Sequence, residues 1–417
     1  MTSRTSRPPS RGALGLTALA VVLAAASATP AVAAPAAAHP TPQAASRVDQ
    51  ARGTLLSVTT LQRAPRARVA EVVAANGVRT SAVRYGVSTY RLTYATITPT
   101  GQPTTASALF VLPDGGDRRL STVAEHHGTM AYRGGAPSMG DDYSTLAGWL
   151  YASGGRAAVA PDYLGLGTGP GTHPYVDTAS SVSASVDALR AARQAAPRFG
   201  RTLTRDVHVT GFSQGGQVAM AVARELSRGV DRHLRPRSLA PVAGPYDIAG
   251  QELPALFDGR IRDSSAVYYL TYFLTAQNRL HHLYEDPREV YREPYASTVE
   301  ALFDNDHPEE EIVKGLAPSV SELLTDEWAE RLKHPTGKLA EVIARNDGVC
   351  DWAPTVPVRL HTSVGDRDVP VGNATSCATT LAEHGVRAKV IEHGDLGHSA
   401  TYLRAIGQNA DWYARLG

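Results

Sequence analysis

The chain has 417 residues, of which 43% are hydrophobic, and its formal net charge is +1. These values fit one large α/β domain that carries an insertion, or two domains of average size. Because acidic and basic residues are so nearly balanced, nothing in the composition points to nucleic acid or an anionic membrane surface as a partner.

The first 33 residues are typical of a secretory signal peptide. Three arginines form a basic start, residues 13–28 are apolar, and Ala31-Val32-Ala33 is a small-x-small cleavage site. A membrane anchor is the alternative interpretation, but the apolar run is short for a bilayer span. The Ala/Pro-rich residues 34–46 are expected to be flexible. The sequence therefore predicts a secreted protein without a stable membrane anchor.

Strands and helices alternate from about residue 85 onward. Two β-rich stretches joined through the turn-like residues 99–102 predict a hairpin. The predicted strands are 90–97, 105–112, 121–125, 157–161, 207–210, 239–242, 358–362 and 389–392, and the predicted helices are 143–152, 182–195 and 215–226. Strands that alternate with helices indicate a mostly parallel sheet covered by helices on both faces.

The alternation stops between residues 248 and 351, where the pattern is helical and rich in tyrosine. Because this stretch separates two predicted strands, we expect it to form an inserted helical cap over the carboxyl ends of the strands. Its apolar run at residues 266–274 is too short to span a membrane. This run either lines a pocket for an acyl group or forms the core of the cap itself.

A nucleophile is predicted at Ser213. Gly211-Phe212-Ser213-Gln214-Gly215 matches G-x-S-x-G and lies between a predicted strand and a predicted helix, which is the context of a nucleophile elbow. Small residues on both sides allow the backbone to turn tightly around the serine. The N–H of Gln214 would then face a developing oxyanion at a helix N-terminus. Without its flanking elements, the motif could equally be an ordinary glycine-rich turn.

A serine nucleophile needs a base, and in folds with this elbow the order along the chain is serine, acid, histidine. Asp366 follows a late predicted strand and is the predicted acid. Asp368 competes with it, but is expected to be a loop residue paired with Arg367 or solvent. His398, which follows a glycine on a loop after the last strand, is the predicted base. His393 is its competitor and lies closer to the strand end.

A second oxyanion donor is expected in the loop after the strand at residues 121–125. The backbone N–H of Thr129 is the predicted donor, and that of Gly128 is the near alternative. The pair His126-His127 could be read as metal ligands, but no carboxylate or cysteine lies at ligand spacing, so no metal is expected. The glycine-rich residues 162–169 lack the lysine of a phosphate-binding loop and are expected at the rim of the cleft.

Two cysteines, Cys350 and Cys377, are present. In an exported chain an even pair favours a disulfide over two buried thiols. The bridge would close a loop of sequence that contains Asp366.

Together these motifs resemble the secretory lipase family of α/β-hydrolases, which includes fungal lipases and exported bacterial esterases. The resemblance extends from about Tyr85 to the C-terminus. It rests on His127-Gly128, on Pro161-Asp162-Tyr163-Leu164-Gly165-Leu166-Gly167 with His173-Pro174-Tyr175, on Gly211-Phe212-Ser213-Gln214-Gly215-Gly216, on Gly365-Asp366 with Val369-Pro370, and on Gly397-His398.

The resemblance implies an α/β-hydrolase core at residues 47–247 and 352–417, with the helical cap inserted at 248–351. It implies triad roles for Ser213, Asp366 and His398, and lipase or esterase activity without a cofactor. The leading hypothesis is therefore hydrolysis of lipid or small-molecule esters. A secreted serine peptidase, an acyltransferase and a catalytically silent binding protein are the alternatives. A peptidase would need carboxylates in the cap, and the run Glu309-Glu310-Glu311 is better explained as a solvated helix face.

Overall fold

The computed structural model describes residues 51–140 and 142–416. The predicted signal peptide at residues 1–33, the segment at 34–46 and the first few residues of the predicted core lie outside this described part. Residues from 51 onward belong to one compact unit.

The described strands form a single sheet. In chain order they are β1 Leu55–Ala64, β2 Val87–Ile97, β3 Pro103–Pro113, β4 Arg119–His126, β5 Ala157–Pro161, β6 Thr202–Phe212, β7 Arg235–Val242, β8 Arg359–Thr362 and β9 Lys389–Glu392. Across the sheet they lie in the order β1-β2-β3-β5-β4-β6-β7-β8-β9. The three pairings from β1 to β5 are antiparallel, and all pairings from β5 to β9 are parallel. The predicted mostly parallel sheet is confirmed.

Helices cover both faces of the sheet. They are α1 Arg66–Ala75, α2 Asp142–Ser153, α3 Thr178–Ala195, α4 Gln214–Ser227, α13 Gly372–Glu383 and α14 His398–Leu416. Side chains of α1, α2 and α14 share one apolar core with the sheet, and side chains of α3, α4 and α13 share the other. The sheet is thus buried from both sides, which explains why every residue of β5 is buried.

The chain between β7 and β8 is helical, with one long helix and several short ones. A π-helical turn at Ile248–Glu252 leads into α5 Leu253–Ala255, and the following helices are α6 Asp263–His281, α7 Pro287–Val290, α8 Val299–Leu302, α9 Glu309–Gly315, α10 Val320–Leu323, α11 Asp326–Lys333 and α12 Gly337–Asn346. Their apolar side chains form a separate core that includes Trp328 and Leu270. This is the stretch in which the sequence predicts a helical cap.

Candidate active site

Ser213 lies at the sharp corner between β6 and α4. Its backbone has φ 57° and ψ −125°, a conformation that a residue with a side chain rarely adopts. The Ser213 N–H donates to the carbonyl oxygen of Val242 over 2.9 Å, and the Gly216 N–H donates to the Ser213 carbonyl oxygen over 2.7 Å. These two bonds fix the corner on either side of the side chain.

The glycines of the motif are required by close approach of the backbone. A Cβ atom on Gly215 would lie 2.0 Å from the carbonyl oxygen of His126 at the end of β4. A Cβ atom on Gly211 would lie 2.2 Å from the carbonyl oxygen of Gly215. The elbow is therefore crowded against the neighbouring strand, as the motif predicts.

His398 and Asp366 form a buried pair beside this corner. Nδ1 of His398 lies 2.7 Å from Oδ2 of Asp366, and the side chain of Asp366 is fully buried. The other oxygen, Oδ1, accepts the backbone N–H groups of Asp368 over 2.9 Å and Val369 over 3.0 Å. The carboxylate is thus held from both sides, and it fixes the orientation of the imidazole.

The position of His398 differs from the sequence prediction in one respect. Instead of lying on a loop, it is the first residue of α14, so the helix holds its backbone. Its ring also packs against that of Phe212 at a centroid distance of 4.4 Å.

His398 and Ser213 line the same pocket. Within the described residues, Nε2 of His398 is buried and has no hydrogen-bond partner. The nitrogen that would accept the serine proton is therefore available on the pocket side. The hydrogen bond between a nucleophile and its base often shortens only when substrate is bound.

The side-chain hydrogen bonds of the two competing residues run to partners outside the candidate triad, although Asp368 lines a pocket with Ser213. Asp368 forms an ion pair with Arg262 and accepts hydrogen bonds from Ser265 Oγ over 2.6 Å and Tyr269 Oη over 3.2 Å. The predicted pairing of Asp368 with Arg367 is wrong, because Arg367 points away and donates to the Gly259 carbonyl oxygen. These contacts tie the loop after β8 to the first long helix of the insertion.

His393 is stacked on His361, and Nε2 of His393 lies 3.0 Å from Nδ1 of His361. Burial lowers the pKa of both imidazoles, and that of His361 falls to about 3. Neither ring lines a pocket with Ser213.

The loop after β4 lies directly against the elbow. A Cβ atom on Gly128 would lie 3.2 Å from Cβ of Ser213. Thr129 lines both pockets that meet at Ser213, and its Oγ1 lies 2.7 Å from the hydroxyl of Tyr175. Gln214 starts α4, and the first N–H groups of a helix have no partner within it. Gly128, Thr129 and Gln214 thus all lie beside Ser213.

The neighbouring histidines are built into the scaffold. Nδ1 of His126 lies 2.7 Å from the Thr210 carbonyl oxygen, and Nδ1 of His127 lies 2.7 Å from that of Gly128. Burial lowers the pKa of both rings, that of His126 to about 4, so they are neutral near pH 7. Among residues 51–140 and 142–416, no cluster of three or more histidine, cysteine or acidic side chains could hold a metal ion.

Asp162 anchors the glycine-rich loop after β5. Its carboxylate accepts hydrogen bonds from Ser107 Oγ over 2.6 Å, the Ser138 N–H over 2.9 Å and Ser138 Oγ over 2.5 Å. Burial raises the pKa of this carboxyl against the opposing effect of these bonds. A Cβ atom on Gly167 would lie 2.3 Å from Asp162 Oδ2, so this glycine makes room for the anchor. None of residues 162–169 lines either pocket that contains Ser213, so their predicted place at the rim of the cleft stays a prediction, and the anchoring role of Asp162 has no signal in the sequence.

Two pockets meet at Ser213, Thr129 and Tyr269. The first, here called the apolar lobe, is lined mainly by aliphatic and aromatic side chains that include Ile248, Leu253, Leu256, Leu270, Phe273 and Ile343. The second, here called the mixed lobe, also contains His398 and Tyr268 together with Glu309. Within the run at residues 266–274, Tyr269, Leu270 and Phe273 line the apolar lobe, whereas Ala266, Val267 and Leu274 pack into the core of the insertion.

Three carboxylates line these lobes, Asp368, Glu252 and Glu309, and sequence reasoning missed the last two. Glu252 borders the apolar lobe, and its Oε1 accepts a hydrogen bond from Asn373 Nδ2 over 2.5 Å. Burial, with a smaller contribution from Asp366, raises the pKa of Glu252 to about 8. Glu309 borders the mixed lobe. A single glutamate in a helical stretch carries no sequence signal of this kind, since only the packing of the insertion turns it inward.

The predicted disulfide between Cys350 and Cys377 is present. It links the end of the insertion to α13, and the 27-residue separation encloses β8 and Asp366.

Known proteins of similar structure were found, although no family profile and no curated protein matches the sequence. The rice cell wall degrading esterase LipA from Xanthomonas oryzae is 27% identical over 87% of this chain and 97% of its own, with a TM-score of 0.77. A Legionella pneumophila protein, itself assigned only provisionally as a hydrolase, is 23% identical over 87% of this chain and 98% of its own, with a TM-score of 0.80. Candida antarctica lipase A is 13% identical over 84% of this chain and 78% of its own, with a TM-score of 0.58.

The fold is therefore that of the α/β-hydrolases. Within this fold, the chain is similar over most of its length to the esterase LipA, which supports the lipase/esterase resemblance seen in the sequence, whereas the likeness to lipase A shows the fold alone. Among the described residues, no helix combines the length and the apolar character needed to cross a bilayer.

Proposed function

We propose that the chain is a secreted carboxylic ester hydrolase, a lipase or esterase, that works through an acyl-enzyme on Ser213. The observation that carries the proposal is the meeting of three elements in one cleft. These are a serine on a strained strand-to-helix corner, a buried His398–Asp366 pair, and a loop that lies against the serine. The esterase and lipase neighbours support the same class of reaction.

In the proposed mechanism, Oγ of Ser213 attacks the ester carbonyl carbon while its proton passes to Nε2 of His398. The carbonyl oxygen becomes an oxyanion that accepts the backbone N–H groups of Gln214 and Thr129. Collapse of the tetrahedral intermediate breaks the carbon–oxygen bond, and the departing alcohol takes the proton from His398. Water then attacks the acyl-enzyme by the same route, and the acid is released. Asp366 holds the imidazole and stabilises its charged form throughout.

The apolar lobe suits the acyl chain, because burying methylene groups against aliphatic side chains is favourable. The mixed lobe, which contains His398, suits the alcohol, because the leaving oxygen must receive its proton from that side. The substrate is accordingly a lipid or small-molecule ester, and no cofactor is involved. An acyltransferase would share every step up to the acyl-enzyme and differ only in the acceptor.

Secretion is part of the proposal. A signal peptide is predicted from the sequence, and the disulfide is of a kind that persists in oxidising compartments.

Hydrolysis of p-nitrophenyl esters from acetyl to palmitoyl tests the proposal. The wild-type protein should hydrolyse part of the series, and Ser213→Ala should lose about 10⁴-fold or more in kcat. Ser227→Ala is the matched control, because Ser227 is an exposed serine at the other end of the same helix, and it should behave as wild type. An inactive wild-type protein, or an active Ser213→Ala, would refute the proposed role of Ser213.

A further inference from the structure

The loop at residues 128–133, here called the oxyanion loop, is held by residues 305–309 of the insertion, here called the clasp. The geometry points to Glu309 and Asn305 as positioning residues, which keep the oxyanion loop in place for the reaction at Ser213. The inference rests on the proposed function, since it concerns the same reaction.

Glu309 holds the loop by its N–H groups. Its Oε1 accepts the backbone N–H of Ala131 over 2.9 Å and that of Tyr132 over 3.4 Å. Its Oε2 accepts the hydroxyl of Tyr268 over 2.5 Å. One carboxylate therefore joins two consecutive amides of the loop to helix α6 of the insertion.

Asn305 holds the same peptide from the opposite side. Its Nδ2 donates to the Ala131 carbonyl oxygen over 2.8 Å, and its Oδ1 accepts the His173 N–H over 2.7 Å. The side chain is fully buried, and the backbone has φ 75°, a conformation that asparagine tolerates better than most residues. Ala131 is thus fixed at both its N–H and its carbonyl group.

The clasp also binds Arg133 of the oxyanion loop. The Arg133 N–H donates to the Asn305 carbonyl oxygen over 2.8 Å, and Nε of Arg133 lies 2.7 Å from Oδ1 of Asp306. Every residue from Ala131 to Arg133 is therefore bonded to the insertion, while Gly128 lies against Ser213 and Thr129 lines the same pockets as Ser213.

This arrangement has a catalytic consequence. Donors to an oxyanion act best when they are oriented before the charge develops, so that no reorganisation is needed during the reaction. Thr129, the proposed donor, lies two residues before the anchored peptide. The charge of Glu309 would oppose an oxyanion in the same pocket, and the three donors that surround the carboxylate compensate it.

The positioning role is assigned to Glu309 and not to the two glutamates that follow it in the sequence. Glu310 and Glu311 are exposed, as expected for a solvated helix face, whereas Glu309 turns inward and lines the mixed lobe. Glu309 does not reach the reacting atoms through any described contact, so its effect is on the loop.

The test compares Glu309→Ala with Glu309→Gln and with the exposed control Glu310→Ala. Active sites are first counted by titration with a fluorophosphonate, which phosphonylates Ser213 with loss of fluoride. Then kcat per titrated site and KM are measured on the best p-nitrophenyl ester. Affinity for phenylboronic acid is measured as well, because its boron bonds to Ser213 Oγ and forms a negatively charged tetrahedral adduct in the oxyanion site.

For Glu309→Ala we expect kcat per titrated site to fall by about 10- to 100-fold, less than the 10²–10³-fold typical for loss of a direct donor. Boronate affinity should fall by a similar factor, and KM should change by less than about threefold. Glu309→Gln should stay within about threefold of wild type, because its amide oxygen can still accept the loop N–H groups, and Glu310→Ala should be unchanged. Glu309→Asp, which keeps the charge but is one methylene shorter, should show an intermediate loss and replaces Glu309→Ala if that variant does not fold.

A purely structural role would lower the number of titratable sites and leave kcat per site and boronate affinity within about twofold of wild type, and that result would overturn the inference. A wild-type protein that neither hydrolyses esters nor reacts with the fluorophosphonate would instead overturn the proposed function itself. The two failures are thus distinguishable.

Discussion

Asp366 accepts a hydrogen bond from Nδ1–H of His398 over 2.7 Å, and its second oxygen is held by two backbone N–H groups. A carboxylate can only accept, so this contact places the proton of the neutral imidazole on Nδ1 and leaves Nε2 as the basic nitrogen facing the pocket. The direction of the hydrogen bond thus determines which nitrogen can act on Ser213.

Asp366→Asn should therefore reduce kcat by about 10³- to 10⁴-fold, because an amide can hold the wrong tautomer and cannot stabilise the imidazolium. Asp368→Asn should cost no more than about tenfold, since Asp368 is bonded to the insertion and not to His398. Steady-state kinetics on a p-nitrophenyl ester checks both. Equal losses in the two variants would contradict the assignment of Asp366 as the acid.

Because the backbone is crowded at the elbow, adding one methyl group at Gly215 is expected to lower the free energy of unfolding strongly. Gly215→Ala would place Cβ 2.0 Å from a backbone oxygen of β4, which no side-chain rotation can relieve. We expect a loss of about 3 kcal/mol or more in the free energy of unfolding, at the upper end of overpacking effects. Gly397→Ala is the matched control for stability, because nothing lies within 4 Å of its added Cβ, and it should lose less than about 1 kcal/mol. Urea denaturation followed by circular dichroism measures both values, and equal stability of the two variants would refute the crowding argument.

The sequence predicted the parts of this fold that have a strong local signal. The apolar strands, the G-x-S-x-G corner, the order of serine, acid and histidine, and the disulfide all follow from local patterns, and the structure brings the three triad candidates into one cleft. The edge strand β1 was missed, because most of its side chains are at least partly exposed and so it lacks the apolar alternation of the other strands.

The roles of Glu252, Glu309 and Asn305 could not be predicted for a different reason. Each depends on contacts between residues more than 100 positions apart, and such contacts arise only when the insertion packs against the rest of the chain. Likewise, the glycine before His398 favours a loop in the sequence, whereas in the structure α14 begins at His398.

Glu252 predicts a dependence of substrate preference on pH. Its pKa is raised to about 8, so the carboxyl is neutral at pH 7, and as the pH rises through 8 the apolar lobe acquires a negative charge. Burying an acyl chain beside a charge is less favourable than beside a neutral acid. The ratio of kcat/KM for the octanoyl ester to that for the acetyl ester should therefore fall between pH 7 and pH 9, by about three- to tenfold.

Taking the ratio of two substrates at each pH cancels the titration of the catalytic base. Glu252→Gln should show a ratio that stays constant over the same range, because the amide does not ionise. Glu383→Gln, at an exposed glutamate at the end of α13, should keep the wild-type fall. A wild-type ratio that is independent of pH would show that the charge of Glu252 does not reach the acyl chain.

Removing the disulfide is expected to lower the free energy of unfolding without lowering kcat. Cys350 and Cys377 are 27 residues apart, and in the chain-entropy model the closure of such a loop contributes about 3–4 kcal/mol. Replacing both cysteines by serine should lower the free energy of unfolding by roughly this amount.

The carboxylate of Asp366 lies inside the closed loop, but its own hydrogen bonds run to His398 and to adjacent backbone groups, not to the cysteines. At 25 °C the double variant should therefore retain kcat per titrated site within about threefold of wild type while it unfolds at lower urea concentration. A loss of kcat per site by more than tenfold, with the protein still folded, would mean that the bridge holds the proposed catalytic acid in place as well as stabilising the fold.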